Sequence, residues 1–464
     1  MSSNKQLSLL KYKENTMGYH WLPSGSTPTY LQFHLWIREH PISDSRIHHS
    51  LNCQSKVLHL PHADIVFDIG DIIHLEAVTE KRKHDGFRLM RIGPYYSEDT
   101  ILHEAGPWFM ASAHDLKTGR PGFAKDAGVR MILDSGGAQL KFGITSFVDR
   151  EEVIKIFNDY ADAAMALELP PRRKLSTRRD VDGHPTALRM LADVQKRNNE
   201  FFAANKREDL QLLNVAHGIT GDDFRRWIAT VTNPALEGWA ISYDSDLDPY
   251  CIWRGAAVLF REFGAVEGWM HLFGVSGFLT IPLMARLGVR FPNLTSDSSS
   301  WVQNVSSYKY LHNRYGRLED IAIGEAFAKM PQSDEDSLDP YCSCQVCQTM
   351  RTFGAFREIF HSDKQKADKV RGSLISYPAL AAHNMLAIKQ GVESWNERAA
   401  RMTYEEFRAE IRRCFPKGRK GQNYGTNILH MLEYLECALE NGPEYADLNV
   451  ARTPQRRPFL YPVS

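Results

Sequence analysis

Apolar runs of strand length alternate with helical patterns through the middle of the chain. Between the apolar runs, the segments 151–161, 185–205 and 277–287 carry apolar residues at helical spacing. Repeated units of this kind predict a parallel sheet covered by helices. The seven runs of strand length lie at 106–113, 129–134, 163–168, 211–216, 238–242, 269–274 and 289–295.

Composition is that of a large globular protein. The chain has 464 residues, 43% of them hydrophobic, which is enough for a sizeable core and one to three domains. Its formal net charge is zero, so a nucleic-acid partner would need local basic patches. No run of eighteen apolar residues occurs, and the first residues lack the apolar core of a signal peptide, so no membrane span is expected.

Cysteine spacing points to a metal. Cys342, Cys344 and Cys347 form a Cys-x-Cys-x-x-Cys motif, which brings three soft thiolates together in a manner that suits tetrahedral Zn²⁺. His383 is the candidate fourth ligand and His361 the alternative; a reduced, metal-free cluster is the competing interpretation. The other four cysteines are scattered and are expected to be free thiols, which predicts a reducing, cytoplasmic compartment.

Several predicted strands end in residues that can do chemistry. In barrels of parallel strands the active site lies at these carboxyl ends. Any single acid there could instead be a helix N-cap. The strand-end residues are Asp134, Glu168, His217, Gly238, Trp239, Phe273, Gly274 and Asp297.

Two acidic motifs give the chain a family resemblance. Residues 134–139 read Asp-Ser-Gly-Gly-Ala-Gln, and Asp297 ends a later strand-like run; the cysteine motif and then His383-Asn384 follow in order. In this respect residues 105–390 resemble the tRNA-guanine transglycosylase superfamily, whose members exchange guanine in nucleic acid for a 7-deazaguanine. The resemblance implies an α/β fold, a (β/α)8 TIM-type barrel with a structural zinc subdomain.

The resemblance also suggests how the chain is divided. We expect an N-terminal extension over 1–104, the transglycosylase barrel over 105–330, and a zinc-binding and helical region over 331–464. A barrel needs an eighth strand, for which the candidates are Ala63–Ile69 or the stretch after residue 300. Because family members often dimerise beside the zinc region, a homodimer is a further expectation.

Catalytic and base-binding roles follow from the resemblance, residue by residue. It implies that Asp297 is the nucleophile that attacks the sugar and that Asp134 is the general acid/base. The residues expected to bind the base are Ser135, Gly136, Gly137, Gln139, Glu168, His217, Gly238, Trp239, Phe273 and Gly274.

The sequence departs from the family pattern at the base-binding positions. Ala138 stands where a stacking aromatic is usual, and Glu168 and His217 stand where the family has Asp and Gln. Recognition of the base edge is therefore expected to differ. The long gap between Cys347 and His383 keeps His361 open as a zinc ligand.

The polymer is expected to be DNA, with tRNA as the alternative. Ser298-Ser299-Ser300-Trp301 replaces the Cys-x-x-Pro-Thr-Arg segment of bacterial tRNA enzymes, and no archaeal RNA-binding region is evident. A DNA-modifying branch that inserts bases such as preQ0 fits these features. The basic cluster Arg172-Arg173-Lys174 is the candidate phosphate contact. Two other functional hypotheses stay open. The protein could be an inactive partner subunit that binds nucleic acid, or a zinc-dependent barrel hydrolase.

Overall fold

The structure is a computed structural model with an α/β architecture. It describes residues 18–23, 108–113, 130–136, 149–168, 186–242, 248, 250–264, 268–275, 279–298, 309–314, 317–322, 376–415 and 424–452.

Eight described strands form one parallel sheet. Its order is β1-β8-β7-β6-β5-β4-β3-β2, and every neighbouring pair in it is parallel. From β2 to β8, sequential strands are therefore neighbours, as is usual for repeated strand–helix units. The strands are β1 (Gly18–Pro23), β2 (Trp108–Ser112), β3 (Arg130–Asp134), β4 (Ala163–Met165), β5 (Gln211–Ala216), β6 (Gly238–Ile241), β7 (Trp269–Leu272) and β8 (Asn293–Ser298).

The sheet curls around its own inner face. Met110 on β2 and Trp269 on β7 stand five positions apart in the sheet order, yet they belong to one buried cluster with Ile132, Met165 and Val215. The alternate residues of the same strands pack outward, in a larger core shared with the helices. Both faces are thus buried, which explains why the strands read as continuous apolar runs.

The eighth strand differs from both sequence candidates. β1 lies inside the region predicted to be an N-terminal extension, and it pairs with β8 so that Leu22 is opposite Asp297. Ala63–Ile69 lies outside the described residues. After residue 300, β9 (Lys309–Arg314) and β10 (Arg317–Ala322) pair with each other as a separate antiparallel hairpin.

The last sheet strand also begins later than predicted. Residues 289–292 are not in β8, because the preceding helix runs to Gly288 and the amide groups of Val289, Arg290 and Phe291 bond back to its final carbonyls. β8 starts at Asn293 and reaches Ser298, which places Asp297 within the strand near its carboxyl end.

Helices follow most of the strands and are capped by local sequence. Asp149 caps the first helix, and Thr220 with Asp223 forms a reciprocal capping box on the third. None of the described helices is long and apolar enough to span a membrane. The helices are α1 (Arg150–Tyr160), α2 (Thr186–Asn205), α3 (Gly221–Val231), α4 (Cys251–Glu262), α5 (Ile281–Gly288), α6 (Ser376–Arg401), α7 (Tyr404–Cys414), α8 (Tyr424–Asn441) and α9 (Pro443–Arg452).

The C-terminal helices are fastened to the sheet domain by a buried arginine. Arg254 on α4 bonds to Asp447 on α9 at 2.8 Å, to Asp248 at 2.7 Å, and to the carbonyl oxygen of Ile219 at 2.9 Å. The hydroxyl of Tyr434 donates a further 2.9 Å hydrogen bond to Asp447. One guanidinium therefore joins α9 to the loop that follows β5.

Removing this arginine should destabilise the fold. We expect Arg254→Met to lower the free energy of unfolding by about 3 kcal/mol, since it leaves partly buried carboxylates without their partner. The measurement is urea unfolding followed by circular dichroism. The matched control is Arg226→Met, because Arg226 makes an exposed ion pair with Asp222 on α3. That control should change stability by less than about 1 kcal/mol. Equal effects of the two substitutions would contradict the buried clamp.

Candidate active site

Acidic and histidine side chains converge at the carboxyl ends of the parallel strands. Asp134 ends β3, Glu168 follows β4, His217 follows β5 and Asp297 lies near the end of β8. Asp297 and Glu168 both act electrostatically on Asp134. β3 and β8 are far apart in the sheet order, so this coupling depends on the curl of the sheet.

Asp134 is held in an environment that favours its protonated form. Burial raises the pKa of its carboxyl to about 7, and the negative charges of Asp297 and Glu168 add to the increase. Hydrogen bonds from the Gly136 amide, at 2.6 Å, and from Ser112 oppose it. Gly136 adopts a φ of 86°, a left-handed conformation that suits glycine and turns its amide toward the carboxylate.

Glu168 and His217 form a buried pair. They are only 6% and 4% exposed, and Nε2 of His217 lies 3.0 Å from Oε2 of Glu168. Despite this distance, neither atom has a well-directed hydrogen-bond partner within the described part of the chain. Buried polar atoms are almost always satisfied, so a pair like this is suited to bind the polar edge of a ligand.

The two residues are positioned by different contacts. Ser135, which is also buried, accepts a 3.2 Å hydrogen bond from the backbone amide of Glu168. The ring of His217 stands edge-on to Trp227 with 4.9 Å between centroids, and Trp227 is itself fixed by a 2.8 Å bond to the carbonyl of Val215. Ser135 therefore serves the site through backbone placement.

Asp297 is oriented by β7. Its Oδ1 accepts a 2.7 Å hydrogen bond from the Gly274 amide and lies 3.4 Å from Nε2 of His271. Gly274 has a φ of 65° and open space where a Cβ would be, so its backbone conformation, and not crowding, favours glycine there. Phe273 packs its ring against the inner cluster and edge-on to His271. It therefore lies beside Asp297 at the carboxyl ends of the strands, an edge of the curled sheet that we call the mouth.

Gly238 and Trp239 are not brought to this site. They begin β6, pairing with Leu213 and Asn214, whereas the site lies level with the end of the strand. Gly238 is therefore roughly 13 Å away along the strand, given about 3.3 Å per residue. The side chain of Trp239 lies on the outer face of the sheet, in the core between the sheet and the helices. Gly238 is required locally, because a Cβ there would come within 2.1 Å of the carbonyl oxygen of Trp269.

Only one predicted zinc ligand lies in the described structure. His383 on α6 is fully buried, stacks on Tyr310 with 3.8 Å between centroids, and places Nε2 2.8 Å from the carbonyl oxygen of Leu311. The remaining predicted site residues lie outside the described residues: Gly137, Gln139, Arg172, Arg173, Lys174, Cys342, Cys344, Cys347 and the alternative ligand His361. Among described residues, no cluster of three or more potential ligands occurs.

Sequence reasoning overlooked Ser112 and His271. Both sit inside apolar strand runs, where a polar residue is easily passed over. The available signal was strand alternation: Trp269, His271 and Phe273 share one face of β7, and Phe273 was already assigned to the site. A histidine on that face lies on the inner side of the curled sheet, as Trp269 and Phe273 do.

Comparison with known proteins adds no assignment. No protein-family model and no curated protein sequence matches this chain significantly. The functional argument therefore depends on the motifs and on the geometry of the described site.

The raised pKa of Asp134 predicts a specific dependence of stability on pH. The folded protein holds this proton more tightly than the unfolded chain, so its contribution is complete below about pH 4 and is lost as the pH rises to about 7. The Asp134→Asn variant has no carboxyl group to titrate at this position, so its stability does not fall in this way as the pH rises. We expect the stability of the variant relative to wild type to increase between pH 4 and 7 and to be constant above. The gain should be on the order of 3 kcal/mol over this range, of which about 2 kcal/mol falls between pH 5 and 7.

Urea unfolding of both proteins at intervals from pH 5 to 8 measures this difference. Curves that run parallel between pH 5 and 7 would show that the Asp134 carboxyl is not desolvated in the folded protein.

Proposed function

We propose that this protein is a base-exchange transglycosylase that replaces guanine in DNA with a 7-deazaguanine such as preQ0. The single observation that carries the proposal is the electrostatic coupling of Asp134 with Asp297 and Glu168. These acids lie at the ends of three separate strands, and Asp134 and Asp297 stand in motifs that resemble those of the transglycosylase superfamily. We further propose that the curled sheet closes into the (β/α)8 barrel typical of that superfamily.

Asp297 is the proposed nucleophile. Breaking the bond between a base and its sugar builds positive charge on C1′, which a carboxylate can capture as a covalent ester. The Gly274 amide orients the carboxylate without closing it off from the mouth, where Asp297 keeps 17% of its side chain exposed. A covalent sugar link allows one base to leave and another to enter without cutting the strand.

Asp134 is the proposed general acid and base. The departing guanine must gain a proton and the incoming base must lose one. A group whose pKa is about 7 can do both near neutral pH, because both of its forms are populated. The neighbouring charges of Asp297 and Glu168 favour its protonated form before guanine departs.

Glu168 and His217 are the proposed readers of the base edge. A flipped-out guanine presents one acceptor, O6, beside two donors, N1–H and the N2 amino group. A carboxylate can accept from the two donors, and an imidazole Nε2–H can donate to O6. The buried Oε2 and Nε2 atoms, 3.0 Å apart and lacking well-directed partners among described residues, match that pattern. A base that shares this edge would be bound equally well.

A structural zinc is proposed for the region after β10. With Nε2–H of His383 donating to the carbonyl of Leu311, the neutral ring carries its lone pair on Nδ1. A carbonyl partner on the second ring nitrogen is typical of metal-binding histidines. The ligand set would be Cys342, Cys344, Cys347 and His383, and the metal would hold this segment together without entering the reaction.

The exchange reaction can be tested directly. Labelled preQ0 is incubated with the protein and either unmodified duplex DNA or unfractionated tRNA. We expect label in DNA and a protein–DNA adduct that survives denaturation. Labelling of tRNA alone would replace the proposed polymer by the alternative, and labelling of neither would reject the enzyme. DNA binding without label would favour the inactive partner subunit.

The role of Asp297 as the nucleophile can be tested by a single substitution. Asp297→Asn should abolish both label incorporation and the adduct, a loss of at least about 10³-fold, because an amide cannot form the sugar ester. Thermal unfolding should show that the variant remains folded. Asp134→Asn is the matched comparison at the same mouth. It should slow turnover while still permitting some adduct, since attack and proton transfer are separable steps.

The zinc proposal predicts stoichiometric metal. Elemental analysis of the purified protein should find one zinc per chain, and Cys344→Ser should lose most of it along with solubility. The control is Cys437→Ser, because Cys437 is a free thiol on α8. His383→Asn and His361→Asn separate the two candidate fourth ligands, and only the first should release zinc. A protein with no bound zinc would refute the proposal.

A further inference from the structure

His271 is fully buried, and the groups around it decide which ring nitrogen carries a proton. The hydroxyl of Thr295 lies 2.9 Å from Nδ1 of His271, 2.8 Å from the indole nitrogen of Trp269 and 3.2 Å from the carbonyl oxygen of Met270. An indole N–H can only donate, and a carbonyl can only accept. The hydroxyl therefore accepts from Trp269 and can direct its one proton to Nδ1 of His271, at 2.9 Å, or to the Met270 carbonyl, at 3.2 Å.

The other ring nitrogen points toward the proposed nucleophile. Nε2 of His271 is buried, has no hydrogen-bond partner among the described residues, and lies 3.4 Å from Oδ1 of Asp297. When the Thr295 hydroxyl donates to Nδ1, the neutral ring carries its proton on Nε2; the other tautomer leaves a lone pair there. A lone pair facing a carboxylate oxygen is repulsive, whereas an N–H in that place is attractive. The tautomer whose Nε2–H faces Oδ1 of Asp297 therefore satisfies both groups.

We propose that His271 is a positioning residue that, together with the Gly274 amide, binds Oδ1 of Asp297 and so selects Oδ2 as the attacking oxygen. This inference rests on the proposed transglycosylase function. The groups around the pair are the Phe273 ring edge, Thr295, Trp269 and, across the mouth, the carboxyl of Asp134.

The geometry gives the two carboxylate oxygens different tasks. A lone pair on Oδ2 forms the bond to C1′ as the bond from C1′ to the base breaks, and the electron pair of that bond leaves with the base, which takes a proton from Asp134. Oδ1 then becomes the carbonyl oxygen of the ester, and the Gly274 amide and His271 still hold it. When the incoming base attacks C1′, the carboxylate is released into the same two contacts.

Two substitutions distinguish the roles of the two ring nitrogens of His271. His271→Asn can keep a hydrogen bond to Thr295 but presents nothing to Asp297, whereas His271→Gln can place an amide N–H near the former Nε2. The rate of adduct formation in a single turnover is measured on the polymer that the wild type labels. We expect the Asn variant to be slowed by about 10- to 100-fold, as for loss of one preorganised donor. The Gln variant should recover to within about 10-fold of wild type.

If His271 had a purely structural role, the Asn and Gln variants would not differ in this way in their rates of adduct formation. Binding of preQ0 to the free protein, followed by quenching of tryptophan fluorescence, should change less than about 3-fold in either variant, since the base does not contact His271. If the Asn variant formed adduct at the wild-type rate, or if both variants lost equally, the positioning role would be overturned while exchange by the wild type still stood. A wild type that forms no adduct with either polymer would overturn both proposals.

The tautomer of His271 can also be measured directly in the wild-type protein. Nitrogen-15 NMR of the wild type, with His271 assigned by its absence in the Asn variant, should show a protonated Nε2. A bare Nε2 would overturn the inference even if a variant failed to fold.

Discussion

The fold of this protein has to keep several carboxyl groups in a place where burial opposes their charge. Asp134, Glu168 and Asp297 reach the same mouth because the carboxyl ends of parallel strands share one edge and because the sheet curls. Desolvation and mutual repulsion hold the pKa of Asp134 at about 7. A flat sheet would have left β3 and β8 far apart, and Asp134 would then lack the charge of Asp297, whose effect on its pKa adds to the larger effect of burial.

Much of this arrangement could be predicted from sequence. Continuous apolar runs predicted the buried parallel strands, and the points where those runs stop predicted that Asp134, Glu168 and His217 lie at strand ends. Asp297 lies beyond its predicted run, inside β8, and its assignment came from the family resemblance. Gly238 and Trp239 were expected at a strand end, but they begin β6, and close approach of the Trp269 backbone is what requires the glycine.

Other features depend on contacts that no local pattern records. β1 is separated from β2 by more than eighty residues, and only its hydrogen bonds to β8 show that Gly18–Pro23 belongs to the sheet. The role of Ser112 arises in the same way, through pairing of β2 with β3, which sets it beside Asp134. Long-range pairing is a property of the folded chain, so short polar segments within apolar runs remain ambiguous in sequence.

Stability and chemistry are supplied by different parts of the molecule. The buried polar atoms without a well-directed hydrogen-bond partner in the described chain include Oε2 of Glu168 and Nε2 of His217, both at the mouth. Unmet polar groups of this kind cost stability, and a core selected only for stability would lack them. The clamp of Arg254 onto α9 offsets that cost, and through the carbonyl of Ile219 it holds the loop behind His217. The C-terminal helices thus support a site that is preorganised for a ligand and strained without one.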